Sequence, residues 1–196
     1  MRASQGKKEK HDSEYTPWLS LGGKELISNA LEIKADLPCI EKKIAEFRSS
    51  YSEIKHSNDD FYEGSLDFIK KLVSHGCQVT LCTNKPRKLV EKILQQTDYG
   101  NYFDRYCSGG DVGYAKPHID NLLKCRELFL SKFNEMSMFG DSKIDQLLSI
   151  NAKIPFVFHE CGYDDGVDRD TTSHNFKKYS DLILNFNEII KKENDE

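Results

Sequence analysis

From Phe61 onward, short apolar runs alternate with longer stretches in which apolar residues recur every three or four positions. Short apolar runs are typical of buried strands, and the longer period is typical of helices with one buried face. The strands are predicted at 78–82, within 102–108, at 136–139 and at 154–159. The helices are predicted at 66–73, after Pro86, after Pro117 (including Phe129), at 144–152 and at 186–192. This alternation predicts an α/β fold in which a parallel sheet is covered by helices on both faces.

The first 57 residues follow another pattern. Residues 1–17 are polar, charged and without periodicity, which predicts a disordered tail. Residues 18–57 carry two apolar stripes at helical spacing, and Pro38 separates them, which predicts a helical hairpin. The stripes are Leu26, Ile27, Ala30, Leu31 and Ile33, then Ile40, Ile44, Phe47, Tyr51 and Ile54. The chain is therefore divided into a tail (1–17), a helical region (18–57) and an α/β core (58–196).

The amino-acid composition narrows the classes of partner that this protein can bind. The 28 basic and 32 acidic residues give a net charge of -4, so the chain has no bulk positive charge for nucleic acid. No apolar run approaches the roughly 20 residues that span a bilayer. The six cysteines have no metal-ligand spacing, and no secretory signal is recognised. We therefore expect a cytoplasmic protein without nucleic-acid or membrane partners. The sequence does not predict an oligomeric state.

Candidate chemistry follows from strand ends. Thr83 and Asp141 come directly after two predicted strands, and ligands of parallel sheets bind beyond the carboxyl ends of the strands. Thr83 offers a hydroxyl, backbone N–H groups near Asn84 can add donors, and Lys116 offers a positive charge, which together suit a phosphoryl group. Asp141 can bind Mg²⁺, and Asp145, one helical turn later, faces the same way.

Each of these residues also has an ordinary structural explanation. A threonine at a strand end is commonly a turn residue, and a lysine before proline is commonly a solvated surface charge. An Asp-Ser pair after a strand is commonly the N-terminal cap of a helix. Thr83 and Lys116 taken alone favour this explanation. The order of all the motifs, each at a structural boundary, favours a common site.

Three motifs carry a resemblance: Thr83-Asn84-Lys85-Pro86, Lys116-Pro117-His118 and Gly140-Asp141-Ser142 followed by Asp145. Together with flanking motifs from Phe61 to Ile183, they resemble the phosphoglycolate-phosphatase-like branch of the haloacid dehalogenase (HAD) superfamily.

The resemblance implies a Rossmann-like core, with residues 18–57 as part of a helical cap. It implies that Thr83, Asn84 and Lys116 bind phosphate and that Thr83, Lys116 and Asp141 are catalytic. Asp141, supported by Asp145, would hold the cofactor Mg²⁺. The substrate implied is a small, phosphoglycolate-like phosphorylated metabolite, hydrolysed through an aspartyl-phosphate.

One expected motif is missing. In the family, an Asp-x-Asp-Gly-Thr follows the first core strand, which lies between the strands that end at Thr83 and Asp141. The only similar string, Asp168-Arg169-Asp170-Thr171-Thr172, follows a polar loop and is interpreted as coincidence. We therefore expect the first core strand to be missing, with its neighbours either pairing directly or leaving backbone groups unpaired. The hypothesis is a truncated enzyme that is inactive or impaired as given.

Two other readings remain open. The first is a non-catalytic relative that keeps a phosphate pocket and binds a ligand or a partner. The second is an enzyme of another class on a similar sheet, such as a methyltransferase or a nucleotide-binding protein. No glycine-rich loop follows a predicted strand, which disfavours the second reading.

Overall fold

A computed structural model describes residues 2–128 and 136–186. Within these ranges eight helices and five strands alternate, with short 3-10 turns between them. The helices are α1 (Thr16–Leu19), α2 (Gly23–Leu31), α3 (Ile40–Ser52), α4 (Ser65–Ser74), α5 (Arg87–Gln96), α6 (Asp120–Glu127), α7 (Lys143–Ala152) and α8 (Tyr179–Leu184). The strands are β1 (Leu81–Pro86), β2 (Tyr106–Gly109), β3 (Met138–Gly140), β4 (Phe156–His159) and β5 (His174–Phe176). None of the helices in the described ranges is long and apolar enough to cross a membrane.

The helical hairpin predicted for 18–57 is confirmed by α2 and α3. Ile27 and Leu31 of α2 pack against Ile40 and Ile44 of α3, and all four are buried. Within each helix the two residues are four positions apart, so they lie on the same face. The apolar faces of α2 and α3 pack against each other, and their polar faces point to solvent.

The segment expected to be a disordered tail makes defined contacts instead. Arg2 Nη1 donates to Ala30 O at 2.5 Å, and Lys7 Nζ donates to Leu31 O at 2.5 Å. Both carbonyls belong to the last turn of α2, where backbone oxygens have no partner inside the helix. Glu32 pairs with both cations as well. Basic side chains therefore attach residues 2–7 to the end of α2.

All strands are parallel, as predicted, but they form two sheets. β1 pairs with β2, and β4 pairs with both β3 and β5. In the described part of the chain, no backbone ladder joins β1 to β3. Direct pairing of β1 with β3, the first of the two expected arrangements, is therefore not observed in these residues. We call the boundary between β1 and β3 the seam.

The core lies on both faces of the three-stranded sheet. Phe156 and Phe158 of β4 point into a cluster with Leu122, Met138, Leu148 and Val167. Val157 points the other way, into a cluster with Phe68, Phe176, Leu182 and Phe186. Successive strand residues face opposite sides of a sheet, so one continuous apolar run can fill both clusters.

Element boundaries differ from the sequence predictions at several points. β1 begins at Leu81, because its register partner Tyr106 is the first residue of β2. Helix α5 begins at Arg87, after Pro86, and α6 begins at Asp120, three residues after Pro117. The structure adds β5 and α8, which the sequence did not predict. The helix predicted at 186–192, with Ile189 and Ile190, falls almost wholly outside the described residues. Phe129, predicted in the helix after Pro117, also lies outside them.

Candidate functional site

The site lies on either side of the seam. Thr83 was predicted to follow a strand that ends at Cys82, but β1 continues to Pro86, so Thr83 and Asn84 lie inside it. Asp141 directly follows β3, as predicted. Ser142 then caps α7, its side chain accepting a hydrogen bond from the backbone N–H of Asp145. The strand-to-helix turn therefore places Asp141 and Asp145 together, as the four-residue spacing predicted.

Lys116 bridges the seam. Its Nζ donates to Asp145 Oδ1 at 2.8 Å and to Cys82 O of β1 at 2.9 Å. The Lys116 and Asp145 side chains are only 11% and 7% exposed, so this is a buried ion pair. Burial alone would lower the pKa of Lys116, but the charge and hydrogen bond of Asp145, together with the nearby Cys82 and Asp141, raise the pKa overall. The lysine is thus charged, and the surface explanation of Lys116 is wrong.

Asp141 is held on its other side by a residue that the sequence analysis missed. Tyr62 Oη donates to Asp141 Oδ2 at 2.5 Å. Burial raises the pKa of Asp141, and the hydrogen bond from Tyr62 only partly offsets that effect. Burial and the adjacent carboxylate likewise raise the pKa of Tyr62. Tyr62 had appeared only as part of a flanking motif, and its distance of 79 positions from Asp141 gave no signal of contact.

Asp145 acts as the support of the turn. Its Oδ2 accepts from Ser142 Oγ at 2.8 Å and from the Asp141 backbone N–H at 3.3 Å. Gly140 leaves room for it, because a Cβ on Gly140 would stand 2.5 Å from the Asp145 Cβ. The glycine before Asp141 is therefore required by close packing.

Asn84 connects three segments. Its Oδ1 accepts from the Lys116 backbone N–H at 2.7 Å, and its Nδ2 donates to Ser20 O at 3.2 Å. Ser20 Oγ in turn donates to Asp165 Oδ2 at 2.8 Å. The helical N-terminal region, β1 and the Lys116 loop therefore meet at this amide. Ser20 and Asp165 are further site neighbours that the sequence did not indicate.

Thr83 has a local role as well as a candidate chemical one. Its Oγ1 accepts from the Lys85 backbone N–H at 3.1 Å, as a turn residue would. That bond uses the oxygen as an acceptor, so the hydroxyl hydrogen can still be donated to a ligand. The structural and functional explanations of Thr83 are therefore compatible.

A cavity of about 280 Å³ opens beside Thr83. It is lined mainly by aromatic and aliphatic side chains, with Thr83, Lys85, His56 and Asp60 as its polar members. Lys85 Nζ donates to Tyr51 Oη at 2.8 Å, which joins α3 to the strand end. A larger surface depression of about 580 Å³ lies around the end of α5, and neither Thr83 nor Lys116 lines it. We therefore consider the smaller cavity relevant to the site.

The carboxylate ligands at the site suit magnesium only in part. Among the described residues, no group of three or more His, Cys, Asp or Glu side chains converges as a ready-made cage. Mg²⁺ is nevertheless commonly bound by one or two carboxylates, with water and phosphate oxygens completing its shell. Asp141 fits that role, whereas Asp145 is already engaged by Lys116 and Ser142.

The Asp168–Thr172 string forms a turn. Asp168 Oδ1 accepts from the Asp170 backbone N–H at 3.1 Å, and its own N–H donates to Gln146. Arg169–Thr171 is a 3-10 turn that Asp168 caps. These contacts agree with the interpretation of the string as coincidence.

Comparison with known proteins identifies the family. The model of the haloacid dehalogenase-like hydrolases matches residues 2–159, which is most of the chain. The chain belongs to the HAD superfamily. This match confirms the resemblance to the HAD superfamily that the sequence motifs indicated.

Curated relatives match part of the chain. The pyrophosphatase PpaX of Bacillus cereus (strain G9842) is 34% identical over 116 residues, covering 57% of this chain and 54% of PpaX. PpaX of Bacillus thuringiensis (strain Al Hakam) is 31% identical over the same length. The chain thus spans about half the length of the curated relatives it matches.

Solved structures confirm the fold. A predicted phosphoglycolate phosphatase from Haemophilus somnus 129PT superposes with a TM-score of 0.77 at 18% identity, covering 93% of this chain and 85% of that one. CbbY from Rhodobacter sphaeroides, solved with phosphate, gives a TM-score of 0.68 at 21% identity, covering 92% and 84%. At these identities the likeness concerns the α/β, Rossmann-like fold and not the chemistry.

Proposed function

We propose that this HAD member provides the phosphate site of a phosphatase that acts on a small phosphorylated metabolite of the phosphoglycolate type. The observation that carries the proposal is the buried Lys116–Asp145 pair, which spans the seam and joins the β1 backbone at Cys82 to the turn that follows β3. A charged lysine in a low-dielectric position between two strand ends suits a dianionic phosphoryl group.

The residue roles follow the geometry. Thr83 Oγ1 and the backbone N–H groups near Asn84 would donate to phosphoryl oxygens, and Lys116 would offset their charge. Asp141 would hold Mg²⁺ when the ion is bound, and the ion would supply further charge neutralisation. Asp145 would support this arrangement by holding Lys116 and the Asp141 backbone in place.

Hydrolysis through an aspartyl-phosphate requires one more carboxylate. Its oxygen would form a bond to phosphorus while the bond to the leaving oxygen breaks, and water would later cleave the acyl phosphate. At the seam, Tyr62 engages the carboxylate of Asp141 and Lys116 engages that of Asp145. The neighbouring Asp165 carboxylate is engaged by Ser20 and by the Lys143 backbone N–H. We infer that this chain by itself is inactive or impaired in turnover.

The size of the substrate is suggested by the cavity beside Thr83. A space of about 280 Å³ suits a leaving group of a few carbon atoms. Related structures support phosphate ester chemistry: CbbY was solved with phosphate and, as a mutant, with xylulose-(1,5)bisphosphate. The name of PpaX instead points to pyrophosphate, so pyrophosphate belongs in the substrate panel.

The first test is hydrolysis of an aryl phosphate, phosphoglycolate and pyrophosphate, with and without Mg²⁺, by the chain and by Asp141→Ala. We expect turnover to be absent or at least about a hundredfold below that of a competent phosphatase. Efficient Mg²⁺-dependent turnover that Asp141→Ala abolishes would contradict the inferred impairment and require a nucleophile within the chain.

The second test is binding of inorganic phosphate, measured by calorimetry with Mg²⁺ present. Binding should weaken about tenfold or more in Thr83→Val, which keeps the shape of threonine but removes its hydroxyl. Thr172→Val is the matched control, because Thr172 bonds within the exposed turn at Arg169. Equal phosphate affinity in all three proteins would refute the assignment of Thr83.

The hydrogen bonds that engage Asp141 and Asp145 also favour a second function. Because the two seam carboxylates are engaged, the chain can also serve as a non-catalytic protein that binds a phosphate ligand or a partner. Phosphate binding without any turnover, in a chain that unfolds cooperatively, would favour this function. We further propose a cytoplasmic location, since Cys39, Cys82, Cys107, Cys125 and Cys161 are free thiols.

A further inference from the structure

Three cysteines meet beneath the β1–β2 sheet. Cys82 of β1 and Cys107 of β2 are register partners, so their side chains leave the same face of the sheet side by side. Helix α6 packs against both strands on that face and carries Cys125. None of the three takes part in the candidate phosphate chemistry.

Contacts of the sulfur atoms show how closely the three thiols approach. Cys125 Sγ lies 4.0 Å from Leu81 O, the carbonyl directly before Cys82. Cys107 Sγ lies 3.8 Å from Asn121 Oδ1, one turn before Cys125 on the same face of α6. The neighbouring thiols of Cys107 and Cys82, together with burial, raise the pKa of Cys125. Cys125 is therefore the common neighbour of the other two.

The three thiols differ in access and in charge environment. Cys107 and Cys125 are fully buried, whereas Cys82 is partly exposed at the seam. The hydrogen bond from Cys125 lowers the pKa of Cys82 despite burial, and the nearby Lys116 ammonium adds to this effect. A small oxidant therefore reaches Cys82 before the two fully buried thiols, and the lowered pKa of Cys82 favours its reaction.

We propose that Cys82 and Cys125 form a reversible disulfide when the protein meets a hydroperoxide. The Cys82 sulfur attacks one peroxide oxygen, the O–O bond breaks, and Cys82 becomes a sulfenic acid while hydroxide leaves. The Cys125 sulfur then attacks the Cys82 sulfur, the S–O bond breaks, and water leaves. Overall, two thiols and hydrogen peroxide give one disulfide and two waters. A dithiol restores both thiols.

The position of the pair gives the modification a consequence. Cys82 directly precedes Thr83, and its carbonyl accepts from Lys116. A bond to α6 would therefore act on the strand end of the candidate site. The disulfide itself does not depend on the proposed function, and the test below measures only the disulfide.

The test uses the full chain with Cys39→Ser and Cys161→Ser, because these two exposed thiols could link separate molecules. Of six cysteines, four then remain. The protein is treated with about equimolar hydrogen peroxide, quenched, unfolded and alkylated, and its intact mass and peptide map are measured. We expect alkylation to fall from four thiols to two, a linked peptide joining Cys82 to Cys125, and full recovery after dithiothreitol.

Variants separate the roles of the three thiols. Cys107→Ala should still form the disulfide, whereas Cys125→Ala should leave Cys82 as a sulfenic acid that dimedone traps. A link through Cys107 or Cys77, or four thiols still alkylated after peroxide, would overturn the proposal. If Cys125→Ala does not fold, the peptide map of the protein with native Cys82, Cys107 and Cys125 decides.

Discussion

The two sheets differ in how deeply their strands are buried. All four residues of β4 are buried, and the strand is paired on both edges. All six residues of β1 are only partly buried, and among the described residues its backbone pairs with β2 alone. In the three-stranded sheet, apolar packing and backbone ladders support each other. At the open edge of β1, side chains have to supply contacts that a neighbouring strand would otherwise make.

The candidate site lies where this difference is greatest. Lys116 donates hydrogen bonds to a backbone carbonyl of β1 and to a carboxylate beyond β3, and Tyr62 donates to Asp141. The seam is therefore held by charged and polar groups, while the β3–β5 sheet is held by its core. Substitutions in the two regions should consequently differ in size and in dependence on pH.

The largest effect should come from the buried sheet. Phe158 is 0% exposed and packs against Leu148 and Phe156. Phe158→Ala should lower the free energy of unfolding by about 4 kcal/mol, since it removes a large buried ring and leaves a cavity. Urea denaturation measures the loss. Leu81→Ala in partly buried β1 is the control and should cost about 1–2 kcal/mol; equal losses would show that the two sheets are equally packed.

Lys116→Met tests the seam itself. It should cost about 3 kcal/mol, because the Asp145 carboxylate would remain buried without its cation. Lys124→Met, at an exposed lysine of α6, should change stability by less than about 0.5 kcal/mol. Adding Asp145→Asn to Lys116→Met should recover part of the loss. Failure of the double variant to recover any stability would mean that Lys116 acts through packing alone.

A smaller, pH-dependent effect should appear within the β1–β2 sheet. Asp111 accepts from Arg87 Nε at 2.8 Å and from the Ser108 backbone N–H at 2.7 Å. Burial alone would raise its pKa, but the bonds from Arg87 and Ser108 lower the pKa from 3.8 to about 2. Asp111→Asn should cost about 1.5 kcal/mol at neutral pH.

The sign of the pH dependence follows from that lowered pKa. Stability from Asp111 is fully present above the ordinary pKa of 3.8 and is lost as the pH falls towards about 2. The stabilities of Asp111→Asn and the parent chain, measured by urea denaturation at a series of pH values, should therefore converge as the pH falls to about 2. A constant difference down to pH 2 would contradict the assignment.

The smallest expected effect has the opposite sign. Burial raises the pKa of Asp141, so its charged form is disfavoured in the folded protein. Asp141→Asn should therefore raise the free energy of unfolding by about 1 kcal/mol at neutral pH, since Tyr62 can still donate to the amide oxygen. The gain should vanish below the ordinary pKa of 3.8, where the acid is protonated in both states. Destabilisation at neutral pH would show that the charge of Asp141 supports the seam.

Sequence pattern alone determined the alternation of strands and helices, the helical hairpin and the grouping of Thr83, Lys116, Asp141 and Asp145. These depend on local periods and on the rule that parallel strands end at one edge, so short segments carry the information. The roles of the site residues remain predictions that the proposed experiments test.

Tertiary structure alone decided how the seam is held. Tyr62 reaches Asp141 across 79 positions, Ser20 reaches Asp165 across 145, and Lys116 becomes a buried ion rather than a surface charge. None of these three arrangements follows from spacing along the sequence, because each depends on how separate elements pack. The same holds for Cys82, Cys107 and Cys125, which are dispersed in sequence and adjacent in space because a helix crosses two strands that pair in register.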